Sequence, residues 1–218
     1  MNAKVKSRMH HNQTGFFDLD KEDVHLPGAE LSVYRHFFSI AESSNYLDRL
    51  HKEIEWKQEE IIVFGRKTPI PRLSAWYGDL GASYTYSGIV MSPIPWTPLL
   101  LQIRNRLIEA TQSNFNSLLA NLYRDGQDSV GWHADDEIEL GDSPTIASLS
   151  FGESRKFKMK QKQKKGEKFS LDLNDGDLLI MKGDTQKNWL HEVPSSAKKM
   201  GPRINLTFRK ICISSDNI

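Results

Sequence analysis

Hydrophobic positions recur along this chain with two different periods, and the change from one to the other divides it. In SSNYLDRLHKEIEW, Tyr46, Leu47, Leu50 and Ile54 fall at near-helical spacing, which predicts an amphipathic helix capped by Ser44 or Asn45. A second helix fits PLLLQIRNRLIEATQ, with Pro98 near its start and Leu100, Ile103, Leu107 and Ile108 along one side. From Asn116 onward the period shortens. SLLANLY, TIASLSF, RKFKMKQK, KFSLDL, DLLIMKG and RINLTFRKI are short runs of strand length. NDGD (174–177) reads as a hairpin turn between two of them. Between the helices, IIVFGRKTPIPR and WYGDLGASYTYSGIVMSPIPW hold too much glycine and proline for long regular elements. The pattern predicts an α+β chain: helices packed outside a β core of sandwich, barrel or jelly-roll type. Residues 1–28, polar and closed by Pro27-Gly28, read as a flexible arm, and 29–218 as a single domain.

Composition narrows the class. With 218 residues, 38% of them hydrophobic and 26% charged, the chain can bury a real core, so global disorder is excluded. A net charge of +1 gives no global attraction to nucleic acid, and any such case must rest on local clusters. Cys212 is the only cysteine, so no intramolecular disulfide can form, and no apolar run reaches the roughly 18 residues of a membrane span. The N-terminal MNAKVKSRMHHNQ lacks an apolar signal core. The expectation is an intracellular monomer with no membrane partner.

Candidate chemistry begins at GWHADDEIEL (131–140). Clustered acids persist on a wet surface or around a cation. In a strand, His133 and Asp135 would project from one face, about 6–7 Å apart. A third ligand must come from elsewhere, and His191 in KNWLHEVP is the only other histidine of the β half. Two imidazoles and a carboxylate leave open positions on a metal, the arrangement of non-haem Fe(II) oxygenases. Taken alone, a His-x-Asp pair is equally an ordinary surface feature. In PRINLTFRK the polar Arg203, Asn205, Thr207 and Arg209 alternate with Ile204, Leu206 and Phe208. Two guanidiniums on one side of a buried strand repel unless an anion lies there, and a dicarboxylate suits forked arginine bonds. Each arginine alone reads as well as a solvated edge. Together with an iron triad they imply 2-oxoglutarate and O2 as co-substrates.

NLY (121–123), WHADDE (132–137), SPTIASLSFG (143–152), LLIMKG with its downstream histidine and RINLTFRK (203–210) resemble the AlkB-type Fe(II)/2-oxoglutarate dioxygenases that repair alkylated nucleic acids. The resemblance runs roughly from Phe64 to Ile211. It implies a double-stranded β-helix core over 116–212, with helices and a nucleotide-recognition lid over 29–115. It implies that His133, Asp135 and His191 hold Fe(II), and that Asn121, Tyr123, Arg203, Asn205 and Arg209 hold 2-oxoglutarate, one arginine to each carboxylate. The implied activity is oxidative demethylation of 1-methyladenine- or 3-methylcytosine-type bases in DNA, with RNA a second partner. 2-Oxoglutarate would end as succinate and CO2, and the methyl group as formaldehyde.

By the same resemblance Asp136 and Glu137 face the flipped, positively charged base. Glu137 could equally solvate a loop, and Asp136 could orient an arginine. Tyr86 would stack on the base opposite His133, with Tyr84 bonding near the lesion, although core aromatics would read alike. Val63-Phe64-Gly65 resembles the apolar finger of the duplex-acting branch, while PRLSAWYG and NSLLANLYRDGQDSVGWH resemble the single-strand branch. Lys158, Lys160, Lys162 and Lys164 alternate as a stripe, either tracking phosphates or protecting a sheet edge. The location implied is the cytoplasm of a bacterium, or nucleus and cytoplasm of a eukaryote. Two alternatives stand beside this reading: the same oxygenase chemistry on a substrate other than nucleic acid, and a non-catalytic nucleic-acid reader.

Overall fold

Strand formation follows the two-residue alternation, and strand placement follows which face must be buried. The computed structural model describes residues 20–63, 65–82, 84–86, 89–163 and 165–212, without the side chains of 63, 84–86 and 89–91. In chain order the elements are β1 (Asp20–Leu26), β2 (Ala29–Arg35), α1 (Ile40–Glu53), β3 (Glu60–Val63), β4 (Arg66–Pro69), β5 (Leu73–Gly78), β6 (Tyr84–Tyr86), β7 (Ile89–Met91) and α2 (Pro98–Thr111). Then come β8 (Ser117–Tyr123), β9 (Val130–His133), β10 (Ile146–Gly152), β11 (Arg155–Gln161), β12 (Lys168–Leu173), β13 (Leu178–Lys182), the helical turn α3 (Thr185–Asn188), β14 (Trp189–Val193) and β15 (Arg203–Arg209).

A seven-stranded sheet runs β1-β2-β13-β10-β15-β8-β5, and a four-stranded sheet runs β12-β11-β14-β9. From β8 onward the chain passes back and forth between them. β8, β10, β13 and β15 join the large sheet, while β9, β11, β12 and β14 join the small one. This winding is the double-stranded β-helix, a jelly roll. One face of the large sheet carries Leu118, Leu149, Ile180 and Leu206 against Tyr46 and Leu50 of α1 and Leu100, Ile103 and Leu107 of α2. The other face meets Phe157, Met159, Trp189 and Val193 of the small sheet. Both faces are covered, so β15 is buried at every position and its polar residues point into the interior. Among the described residues, no helix is long and apolar enough to cross a membrane.

Several expectations need correction. Residues 20–26, read as arm, are strand β1, paired from Asp20↔Arg35 to Leu26↔Ala29 around a turn in which Gly28 takes φ 68°. The 29–115 segment supplies β2 and β5 to the large sheet as well as the helices. Helix α1 starts earlier than Ser44. Ser39 caps it, accepting from the Glu42 N–H at 3.3 Å while Glu42 accepts from the Ser39 N–H at 2.9 Å. That reciprocal box satisfies two donors at once, which places Ser44 and Asn45 inside the helix. NDGD is a turn but not a hairpin, because β12 and β13 belong to different sheets. Gly176 takes φ 78° there, and a Cβ would collide with the Phe38 carbonyl. Strand β11 is no edge either, since β12 and β14 flank it.

Candidate metal centre and co-substrate pocket

The ladder between β9 and β14 sets His133 directly opposite His191. Their ring centroids lie 4.2 Å apart. Asp135 completes a cluster whose donor atoms all fall within 4.8 Å of one another. Strand β9 ends at His133, so Asp135 reaches the site from the loop beyond and not through strand alternation. Gln186, buried in α3, accepts the Asp135 N–H at 2.9 Å and holds that loop in place. His133 Nδ1 lies 2.8 Å from the Gly131 carbonyl. With its proton donated there, Nε2 keeps a lone pair for a cation.

The charges suit a metal. Burial raises the Asp135 carboxyl, but Arg209, His191 and His133 beside it prevail and bring it down to about 2. Burial, reinforced by His133, pushes the His191 imidazole down to about 3. At neutral pH the site therefore offers a carboxylate and a neutral imidazole, the forms that bind metals. Three N/O donors of this kind fit Fe(II) with coordination positions to spare.

His133, Asp135 and His191 line one end of an open cleft. Register explains its polar lining. Strand β15 pairs with β8 so that Arg203 faces Tyr123 and Asn205 faces Asn121, and with β10 so that Thr207 faces Ser148. All six line the cleft, as does Arg209. The Arg209 guanidinium donates to Asp135 Oδ1 at 2.6 Å. Arg203 is only 1% exposed. It donates to Ser150 Oγ at 2.9 Å and lies 5.2 Å from the centre of the Tyr123 ring. Its Nε and Nη1 have no hydrogen-bond partner, and among the described residues no carboxylate pairs with it. Burial pulls this guanidinium down to about 10. A buried cation with no acid beside it is costly, and an anionic guest would relieve that cost.

Two contributors escaped the sequence reading. Arg72, just before β5, lines the cleft and donates to Asn121 Oδ1 at 2.7 Å. A basic residue set between Pro71 and the apolar LSAWYG was the signal for it. Gln186 carried no comparable signal.

The expected base-facing residues lie less completely in view. Phe64 is outside the described residues, as are the side chains of Tyr84 and Tyr86 in β6 and all of Lys164. Asp136 is exposed and pairs with Lys162 at 2.7 Å, so its neighbour is a lysine rather than an arginine. Glu137 sits half-buried just before a single 3-10 turn, Ile138–Leu140. Strands β3 and β4 form a separate two-stranded hairpin with Ile62 75% exposed.

A family model for the 2OG-Fe(II) oxygenase superfamily matches residues 30–209. The chain belongs to this superfamily. Within the superfamily it sits with the AlkB homologues. It is 45% identical over 192 residues to the mouse alpha-ketoglutarate-dependent dioxygenase alkB homolog 3, covering 84% of this chain and 66% of that protein. It is 40% identical over 191 residues to the human DNA oxidative demethylase ALKBH2, covering 83% of this chain and 73% of the other. The chain thus spans about two thirds of the length of the alkB homolog 3 relatives. The solved structure of OsALKBH1 shares the fold with a TM-score of 0.61 at 17% identity, over 86% of this chain and 99% of that one. In this member of the superfamily the triad and Arg203 line one cavity.

Proposed function

We propose that this protein is an Fe(II)- and 2-oxoglutarate-dependent dioxygenase that demethylates 1-methyladenine- and 3-methylcytosine-type bases in DNA, with RNA a second substrate. One observation carries the reading: three donors able to hold a metal converge beside a buried arginine that, among the described residues, lacks an acid partner. His133, Asp135 and His191 would hold Fe(II). Arg203 would grip one carboxylate of 2-oxoglutarate through forked, charge-assisted bonds, with Tyr123 beside it. Asn121 and Asn205 would bond the co-substrate's middle, and Arg209 would stand at the metal end, by the second carboxylate. Arg72 orients Asn121 by taking its carbonyl oxygen.

When bound, Fe(II) with 2-oxoglutarate and O2 supplies the oxidation: the co-substrate leaves as succinate and CO2, and one oxygen atom enters a C–H bond of the N-methyl group. The hydroxymethyl product then sheds formaldehyde and restores the base. The chain's own tasks are placement and dryness. Asp136 and Glu137, the acids that follow Asp135, would favour a base made cationic by methylation, with Asp136 shared between that base and Lys162. Tyr84 and Tyr86 would hold the flipped base flat, with the strength of stacking rather than of charge. The hairpin of β3 and β4, with Ile62 exposed, fits an apolar wedge that fills the gap in a duplex. The names of the alkB homolog 3 and ALKBH2 relatives support the reading.

The test is anaerobic loading with Fe(II) and 2-oxoglutarate, then air and methylated single- and double-stranded oligonucleotides. Mass loss of one methylene from the base, matched by succinate, is the expected result. Succinate release with no change in any methylated base would move the chemistry to another class of substrate. Phe64→Ala should slow repair of duplex more than of single strand.

A further inference from the structure

We propose that the outer face of the four-stranded sheet docks the single strand flanking the target base, with Trp132 stacking on a neighbouring base and Lys160 and Lys168 holding phosphates. The inference rests on the nucleic-acid reading above and extends it to a surface outside the cleft.

The small sheet has two faces of opposite character. Inward it presents His133, His191, Phe157 and Met159. Outward, Trp132 is 36% exposed, as alternation requires of the residue before the inward His133. A register shift lets Val130 and His133 both face inward: His191 faces His133 and Val193 faces Val130, so Gly131 and Trp132 share the span opposite Glu192. The Lys160 ammonium sits 4.3 Å from the centre of the Trp132 ring. Lys160 in turn faces Lys168 across one ladder and Leu190 across the other.

The lysines of this region then separate into two groups. Lys156 pairs with Asp172, Lys158 with Glu192 and Lys162 with Asp136. Among the described residues, Lys160 and Lys168 have no acid, yet they stand directly opposite each other, an arrangement that costs stability. Two unanswered cations beside a half-exposed indole match what binds a single strand: a flat ring for a base and ammonium groups for the backbone. The row crosses from Lys168 on β12 through Lys160 to Trp132, whose next residue is His133. A strand laid along it arrives at the lip of the metal centre.

The experiment uses the full chain, anaerobically loaded with Fe(II). It measures anisotropy of a labelled, unmethylated oligonucleotide of about fifteen nucleotides, a length within one such binding site. Trp132→Ala should weaken binding about tenfold, with Trp132→Phe close to wild type, because only the ring is required. Lys160→Glu and Lys168→Glu should each weaken it and lower the salt slope by about 0.7 per contact removed. Lys168 lies on the strand farthest from β9, so its variant probes the surface without touching a metal-binding residue. In turnover, the same variants should raise KM for the long methylated substrate and leave KM for a methylated trinucleotide unchanged. An abasic oligomer of equal length should be insensitive to Trp132→Ala. Wild-type affinity in both Trp132→Ala and the double lysine variant overturns the inference, as does equal loss on the abasic oligomer for the stacking role. Failure of the wild type to demethylate even the trinucleotide would instead strike the function proposed above, while oligomer binding would still decide the docking surface.

Discussion

The two arginines of β15 sit six residues apart on one face of one strand, and their surroundings are opposite. Arg209 is tied to Asp135 at 2.6 Å, so its charge belongs to the metal centre and keeps that carboxylate ionised. Arg203 is equally buried, but among the described residues it has a hydroxyl and an aromatic ring for company and no acid. A fold selected only for stability would replace such a cation with an apolar side chain. On the function proposed above, Arg209 serves the metal end of the site, and Arg203 is held for a guest.

Breaking the metal end should give the largest effect. His191→Ala is expected to reduce succinate formation to background while circular dichroism shows the fold retained. Next comes the direct contrast between the arginines. Arg203→Met should raise the KM for 2-oxoglutarate about 100-fold, since losing one partner of a buried charge pair costs roughly 3 kcal/mol. The metal-free protein should meanwhile melt at or above the wild-type temperature. Arg209→Met should lower that melting point by exposing Asp135 as an unpaired buried charge, a loss of about 3 kcal/mol. Calorimetry on both variants, with and without 2-oxoglutarate, separates the roles. Identical behaviour of the two would dissolve the distinction.

Gln186→Ala sharpens the metal end more gently. It removes the bond that anchors the Asp135 loop, and a tenfold loss of metal affinity, about the least expected for such a supporting residue, should appear in a Co(II) titration. The last contrast concerns pH. His191 is held near 3 in the fold against about 6.5 when unfolded, so the unfolded chain carries the extra proton between those values. Its contribution is whole above about pH 6.5 and fades as pH falls, on the order of 1 kcal/mol per pH unit. Asp135, near 2 in the fold, adds a term that is present above its unfolded value near 4 and lost only as pH falls toward 2. Melting of the metal-free protein from pH 7 to 4.5 should decline steadily, and His191→Asn should flatten the slope.

The core strands were legible because burial enforces their alternation, as in RINLTFR. The histidines and arginines of the site were legible through their motifs. Pairing was not, because sheet membership depends on contacts far along the chain. NDGD has the chemistry of a turn, yet nothing local says that the strands on either side part company. Strand β1 was hidden by its own position. An edge strand can carry a run of charges, and DKEDVHL opens with four in a row. Its turn signal, Pro27-Gly28, was present but read as the end of an arm. Asp135 illustrates a subtler gap: strand spacing singled it out, although it lies past the end of β9 and a glutamine 51 residues away is what positions it.

The most direct test of the account is an anaerobic calorimetric titration of 2-oxoglutarate into Fe(II)-loaded protein. One molecule should bind per chain in the wild type, with heat lost in Arg203→Met and in His191→Ala. Undiminished binding in Arg203→Met, or binding that ignores the metal, would contradict it.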